Sequence, residues 1–311
     1  MTHNSLLTRL AMFPLVVVLT TLVMFALPEL HGADQARTTL QARTDGASPD
    51  EKTLERLKQE LELDRPAHQR YATYVQRLAK GDLGESNVSR RPVGPQVFRA
   101  AQTSATLLGA AMAISISLAV VIGTVAAAKP KGLFDRCVTG VSRVLVSVPS
   151  HVTAPLVIYF FAVRLQWLPT NGWGDPSNMI LPVIALAAGP TALFSQVVRA
   201  ETIDALNQPY IRTATAKGVS RLRVVWVHAA RMSATGVVTL GGMFVAGLFG
   251  GSVIIEVVFG IPGLGRLLHD AVKASDVPML QGGGLVVVTV GLSVGALSDI
   301  VSTFLSPPRV E

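Results

Sequence analysis

The sequence predicts an all-α polytopic membrane protein: six transmembrane helices, a helical extracytoplasmic segment after the first, and a short cytoplasmic helix between the fourth and fifth. Two observations carry the class and a third carries the arrangement. Half of the 311 residues are hydrophobic and the mean hydropathy is +0.46, well above that of a soluble domain. The apolar residues fall in blocks that each approach the ~20 residues a helix needs to cross the hydrocarbon core. Lysine and arginine, finally, concentrate in alternate short loops, which sets the direction of each crossing.

The expected spans are residues 10–30, 103–128, 138–163, 179–198, 237–259 and 280–305. The first differs from a cleaved leader in its length and in having no clean small-residue cleavage site directly after it, so it is expected to remain as a helix. Two loops qualify as inner. One, "KPKGLFDR", holds Lys129, Lys131 and Arg136; the other, residues 199–235, holds Arg199, Arg212, Lys217, Arg221, Arg223 and Arg231. The loops of opposite side hold only Arg164, Arg266 and Lys273. Both termini, including a short tail at residues 307–311, are therefore expected in the cytoplasm, and residues 31–102 outside.

The outer segment reads as two amphipathic helices. In "SPDEKTLERLKQELEL", Ser48 has the position of an N-cap, Pro49 of the first helical residue and Glu51 of the capping-box partner, with Leu54, Leu57 and Leu61 on one face. In "DRPAHQRYATYVQRLAKG", Tyr71, Val75 and Leu78 form a stripe and Gly81 a stop. Both helices should pack on something. The polar stretch "GADQARTTLQARTDGAS" reads as an unstructured connector.

Several chemistries are excluded. No G-x-x-x-x-G-K-[ST] occurs, so this chain has no phosphate-cradling loop for ATP, and there is no H-E-x-x-H. His3, His31, His68, His151, His228 and His269 are scattered without metal-ligand spacing. A net charge of +7 is compatible with nucleic-acid binding, but the basic residues lie beside apolar spans, where topology and lipid account for them. The one cysteine, Cys137, cannot form an internal disulfide and reads as a small packing residue. Glu256 and Asp299 fall near the ends of the fifth and sixth spans, where water or a neighbouring helix would satisfy them, instead of at the centre where a proton relay would sit. Gly241, Gly242, Gly247, Gly250 and Gly251 suit close helix packing or a subunit interface.

The most informative stretch is "YIRTATAKGVSRLRV", residues 210–224, with four basic residues and no acidic one. Topology explains the charge but not the small residues. Ala214 and Gly218 stand at i and i+4, which predicts one smooth helical face ringed by charge, suited to a cleft on another protein.

This stretch closely resembles the cytoplasmic EAA loop of bacterial ABC-importer permeases, in the form found in the B-type subunits of dipeptide and oligopeptide transport. The triplet of that loop falls on Arg212, Thr213 and Ala214, and its glycine on Gly218. "LDRP" (residues 63–66), "GDLG" (residues 81–84), Leu181 with Pro182, and residues 254–282 resemble the same subfamily in the same order. The resemblance implies a permease domain over residues 103–306 with its coupling loop at 199–235, and a scoop or docking role for residues 31–102. It implies a coupling helix formed by Arg212, Thr213, Ala214, Ala216, Lys217 and Gly218 that docks on ATPases. It also implies the partners: a second homologous permease in a heterodimer, two cytoplasmic ATPase subunits that bind ATP and Mg, and an extracytoplasmic binding protein delivering peptides. No cofactor or catalytic residue would then belong to this chain. The same machinery serves other solutes, nickel chelates among them; a secondary transporter acting without ATPases is the rival, and would need central charges or an inverted repeat. Three features depart from the pattern: Arg212 replaces glutamate, Gly236 replaces a proline, and the terminal "SPPRVE" matches only loosely.

Overall fold

The computed structural model describes residues 3–30, 35–44 and 50–305. Among them the chain is helical, with a single isolated bridge between Glu85 and Pro92 and no strand. The order is α1 (His3–Leu30), α2 (Gln35–Arg43), α3 (Glu51–Glu60), α4 (Ala67–Ala79), α5 (Val93–Ala128), α6 (Leu133–Ser147) and α7 (Ser150–Val157), the last continuing as a π-helix over Ile158–Arg164. Then come α8 (Pro176–Leu206), α9 (Pro209–Ala216) and a short α10 (Arg221–Arg223). Alpha-helix α10 passes through π and 3-10 turns (Val224–Ala229, Ala230–Ser233) into α11 (Ala234–Val258), followed by α12 (Leu264–Lys273) and α13 (Val277–Leu305).

Three described helices, Val93–Ala128, Pro176–Leu206 and Val277–Ser298, are long and apolar enough to cross a membrane, and a fourth crossing arises if α6 and α7 are one bent span. The chain is a polytopic helical membrane protein. One expected element is corrected: residues 138–163 do not form a continuous helix. The α6–α7 pair is bent by 110°, because Pro149 forces Val148 out of the helical region to φ −93° and ψ 116°.

The contacts divide the chain into two compact units, Met1–Ser104 with Pro262–Leu292, and Ala105–Ile261 with Ser293–Glu311. In the first unit, Val93, Val97 and Ala100 on one face of α5 pack with Leu264 and Ala271 of α12 and Met279 of α13. The Ser104 hydroxyl accepts the Leu264 N–H at 2.7 Å, satisfying a donor that the start of α12 would leave unpaired. Asp276, just ahead of α13 and nearly fully buried, accepts from the Ser86 hydroxyl and from the Asn87 N–H at 3.1 Å. Ser86 in turn accepts the Ser89 N–H at 2.9 Å, while Arg43 Nε donates to the Asn87 carbonyl at 2.5 Å. This polar knot fixes the loop after α4 against both α2 and α13.

Helices α3 and α4 form where their leucines predict, with corrections at the edges. Leu57 is buried, with Leu54 and Leu61 packed beside it, but α3 starts at Glu51 behind Asp50; Ser48 and Pro49 lie outside the described residues. The stretch read as a connector contains helix α2, because Ala36 and Leu40, one turn apart, bury themselves against Leu57. In α4 the inward side chains include Tyr71 and Tyr74 while Val75 is exposed. Phe25 of α1 meets Tyr71 edge-on at 5.3 Å, and Arg70 lies 5.8 Å from the Phe25 ring centre. Burial, then the neighbouring Tyr71, pushes the Tyr74 hydroxyl above its ordinary pKa. Gly81 ends α4 at φ +77°, with the Asp82 N–H reaching back to the Arg77 carbonyl at 3.0 Å.

In the second unit α8 is the central element, packed by α6, α7 and α11. Phe194 is fully buried and meets Phe244 of α11 edge-on at 5.3 Å, beside Met112 and Ala119 of α5. Gly123 lets α5 touch α8: a Cβ there would come within 2.8 Å of the Val198 side chain. Of the α11 glycines, Gly242 is where Ser298 of α13 seats, and Gly241 lies near Met112, whereas Gly247, Gly250 and Gly251 face open space. Glu256 is fully buried and accepts from the Ser252 hydroxyl at 3.1 Å; the Asp299 side chain lies outside the described residues. Cys137 is exposed, not a packing residue, because it sits on the side of α6 turned away from α8. Replacing Asp276 by Ala should cost about 1–3 kcal/mol by orphaning the Ser86 and Asn87 donors, whereas the exposed Asp270→Ala should stay within about 0.5 kcal/mol. Thermal unfolding of the solubilised protein checks both.

Candidate functional site

Residues 199–235 and 129–136 come together at one end of the second unit, around the C-terminal end of α8. The chain leaves α8 through Asn207 and turns at Gln208, which the following proline holds extended at φ −72° and ψ 150°. Pro209 then opens α9, its fixed φ already helical and its missing N–H one that a first turn would leave unbonded.

The end of α9 is closed by a Schellman motif. The Val219 N–H bonds the Ala214 carbonyl at 3.2 Å and the Gly218 N–H bonds the Thr215 carbonyl at 3.0 Å, with Gly218 at φ +80°. This changes the meaning of the glycine. Gly218 does not share a helical face with Ala214; it is the left-handed residue that stops the helix, and a Cβ there would meet nothing within 4 Å. An L-residue in that conformation costs roughly 1–2 kcal/mol.

The helix so bounded is held from beneath and bare on top. Ile211 is buried and anchors α9 on the π turn that holds the buried Val224 and Val225, itself packed on α8. Arg212, Thr213, Thr215, Ala216, Lys217 and Gly218 are exposed and Ala214 is half-buried. All the residues singled out from the sequence thus occupy one short, outward-facing helix and its cap. Thr213 and Thr215 turn their hydroxyls back onto the carbonyls of Pro209 and Ile211 at 3.3 and 2.9 Å, so the threonines offer methyl surface outward as much as hydrogen bonds.

Three contacts that sequence reading missed make the base rigid. Asp135, 4% exposed at its side chain, forms a two-pronged ion pair with Arg199, with Nη2 at 2.8 Å from Oδ2, and the same oxygen accepts the Lys131 N–H at 2.7 Å. Arg221 donates to the Ala128 carbonyl at 2.8 Å, bonding a group that the end of α5 would otherwise leave open. Glu201 occupies the space beside Gly236, where any Cβ would strike its carboxylate; this is a physical reason for glycine where the family pattern has proline. A signal for the first was present: Asp135 is the single acid among the cations of its loop.

Gly291, Ser293 and Gly295 have nucleophile-elbow spacing, but they lie within the continuous helix α13 instead of on a strand-to-helix turn. Among the described residues no group of three His, Cys, Asp or Glu could hold a metal ion.

The described residues thus form a polytopic helical membrane protein with one short exposed helix, α9, seated through a π turn on the central helix α8. Comparison narrows the class. Residues 119–310 match the family described as binding-protein-dependent transport system inner membrane component. The chain is 34% identical over 314 residues to a peptide transport system permease protein of Brucella abortus (strain 2308), covering 98% of each. It is 35% identical over 272 residues to the glutathione transport system permease protein of Escherichia coli O6:H1, covering 88% of this chain and 87% of that one. The chain belongs to the family of binding-protein-dependent transport inner membrane components.

The Asp135–Arg199 pair should show a marked asymmetry in thermal unfolding. Arg199→Ala strands a buried carboxylate and should cost about 3–5 kcal/mol, whereas Asp135→Ala leaves a guanidinium that can turn to water and should cost less. The double variant should be more stable than Arg199→Ala alone.

Proposed function

We propose that this chain is one half of the translocation pore of an ATP-driven importer, and that α9 is its coupling helix. In this reading the six crossings are α1, α5, the bent α6–α7 pair, α8, α11 and α13, with both termini and α9 in the cytoplasm and residues 31–102 outside. The second half of the pore is a homologous permease, and two cytoplasmic ATPases bind ATP and Mg, since this chain has no phosphate-cradling loop. The solute is a peptide delivered by an extracytoplasmic binding protein that the outer segment helps to dock. The names of the relatives, peptide and glutathione permeases, support that class of solute.

One observation carries the reading: α9 is exposed above a braced base. ATP binding does work on a transporter only through contacts that differ between its states. A helix that flexed freely on its loop would absorb the displacement of an ATPase. Here Ile211 seats α9 on the π turn beside α8, Asp135 ties the start of α6 to α8, and Arg221 ties the same layer to α5. A push on α9 is therefore passed to three spans. The basic Arg212 and Lys217 at the margin of α9 suit an acidic rim on the ATPase cleft.

A rival transporter without ATPases would use a charged central group. Glu256 is instead held by Ser252 near the end of α11, which favours a structural role.

Ala216→Glu and Gly218→Asp should leave the protein folded and inserted, at a cost of roughly 1–2 kcal/mol for the second. Each should lower ATP-driven uptake in reconstituted vesicles by about tenfold or more, the equivalent of 1.4 kcal/mol or more of lost docking. Uptake at the wild-type rate in both variants would remove the docking role.

A further inference from the structure

We infer that one sector of α6, with Arg143 and Ser147 on it, lines the solute pathway and contacts a carboxylate of the solute. The inference rests on the transport reading and deepens it, since no pathway residue follows from the family match.

At about 100° per residue, α6 divides into three sectors. One is packed on α8: Asp135 and Ser142 are buried there, and the Ser142 and Ser195 hydroxyls lie 3.4 Å apart. A second is exposed and apolar, with Phe134, Val141 and Val144. The third is an exposed strip with no apolar side chain of its own, bordered by the exposed Leu133 and Val146: Arg136, Gly140, Arg143 and Ser147, at i, i+4, i+7 and i+11, fall within roughly 60° of one another. Lipid accounts for the second sector but not for the third. In a crossing helix, exposed charge belongs on a water-filled cavity or a protein partner.

The break after α6 points the same way. Ending one helix at Ser147 and starting the next at Ser150 releases backbone carbonyls and N–H groups that lipid cannot satisfy. Pro149 and His151 at this break are exposed, so this chain does not bury it. Irregular backbone at membrane depth is tolerated where it lines a cavity. Arg143 and Ser147 lie on the last two turns before the break, and Arg143 makes no ion pair among the described residues. A guanidinium presents paired N–H groups in the geometry of a carboxylate, which makes an acid group on the solute its natural partner. A lipid phosphate would present similar oxygens, so the test must separate the two.

The single native cysteine makes the experiment direct. In the complete transporter carrying Cys137→Ser, cysteines are placed singly at Ser147 and Val144, and native membranes are treated from either side with a membrane-impermeant thiol reagent, with and without ATP. The pathway assignment predicts that Ser147→Cys reacts in at least one condition and Val144→Cys does not. No reaction at Ser147→Cys from either side, or equal reaction at both positions, overturns it. Labelling requires no uptake, so it stands or falls separately from the transport reading, which ATP-driven uptake by the Cys137→Ser transporter tests. For the ligand, uptake of one peptide is compared as free acid and as C-terminal amide. Arg143→Gln should slow the free acid by about tenfold relative to the amide, and Arg143→Lys by much less. Equal slowing of acid and amide, as a lipid-anchoring role would give, overturns the carboxylate contact.

Discussion

Hydrocarbon offers a peptide group no hydrogen-bond partner, and each one left open there costs several kcal/mol. Much of this structure follows from that constraint. It makes the described chain helical, and it requires every helix end to be closed by something other than water or to be placed where water reaches. The second unit shows both solutions. The end of α5 receives the Arg221 guanidinium on the Ala128 carbonyl, and α9 closes on itself through Gly218. In the first unit, Ser104 takes the leading N–H of α12, and Asp276 gathers the Ser86 and Asn87 donors ahead of α13. The break at Pro149 is exposed, and the start of α7, like those of α8 and α9, has no side-chain cap.

The same contacts that close helix ends also stiffen the layer under α9. An ion pair as buried as that of Asp135 is a poor source of net stability, because desolvation offsets most of the attraction. What it does supply is a fixed geometry: one carboxylate engages a guanidinium through two nitrogens and a backbone N–H, so the first turn of α6 cannot rotate on α8 without breaking several bonds at once. In the proposed importer this layer needs stiffness more than it needs stability.

How much of this was legible in the sequence depends on the physics of each feature. Hydropathy marks spans because lipid selects composition over whole segments, so α5, α8 and α13 fall where expected. Caps and faces are decided by single residues, and there the reading was uneven. Gly81 reads as a stop and is one, while Gly218, with the same role, reads by its spacing as sharing a face with Ala214; spacing alone cannot tell a glycine within a helix from one that ends it. The polar stretch holding α2 looked unstructured because its two apolar anchors, Ala36 and Leu40, gain meaning only once Leu57 is opposite them. The surface of α9 could be read from residues 210–218, but its bracing could not, because Asp135 and Arg199 are 64 positions apart.

In the proposed importer α9 is a joint closed by an ATPase. The most direct measurement is amide hydrogen exchange of this chain in membranes or nanodiscs, within the permease pair, before and after the ATPase subunits are added. Added protection is expected to be concentrated on residues 209–219, with helices α3 and α4 unchanged. Unaltered exchange across residues 209–219 in a complex that has taken up its ATPases would contradict it.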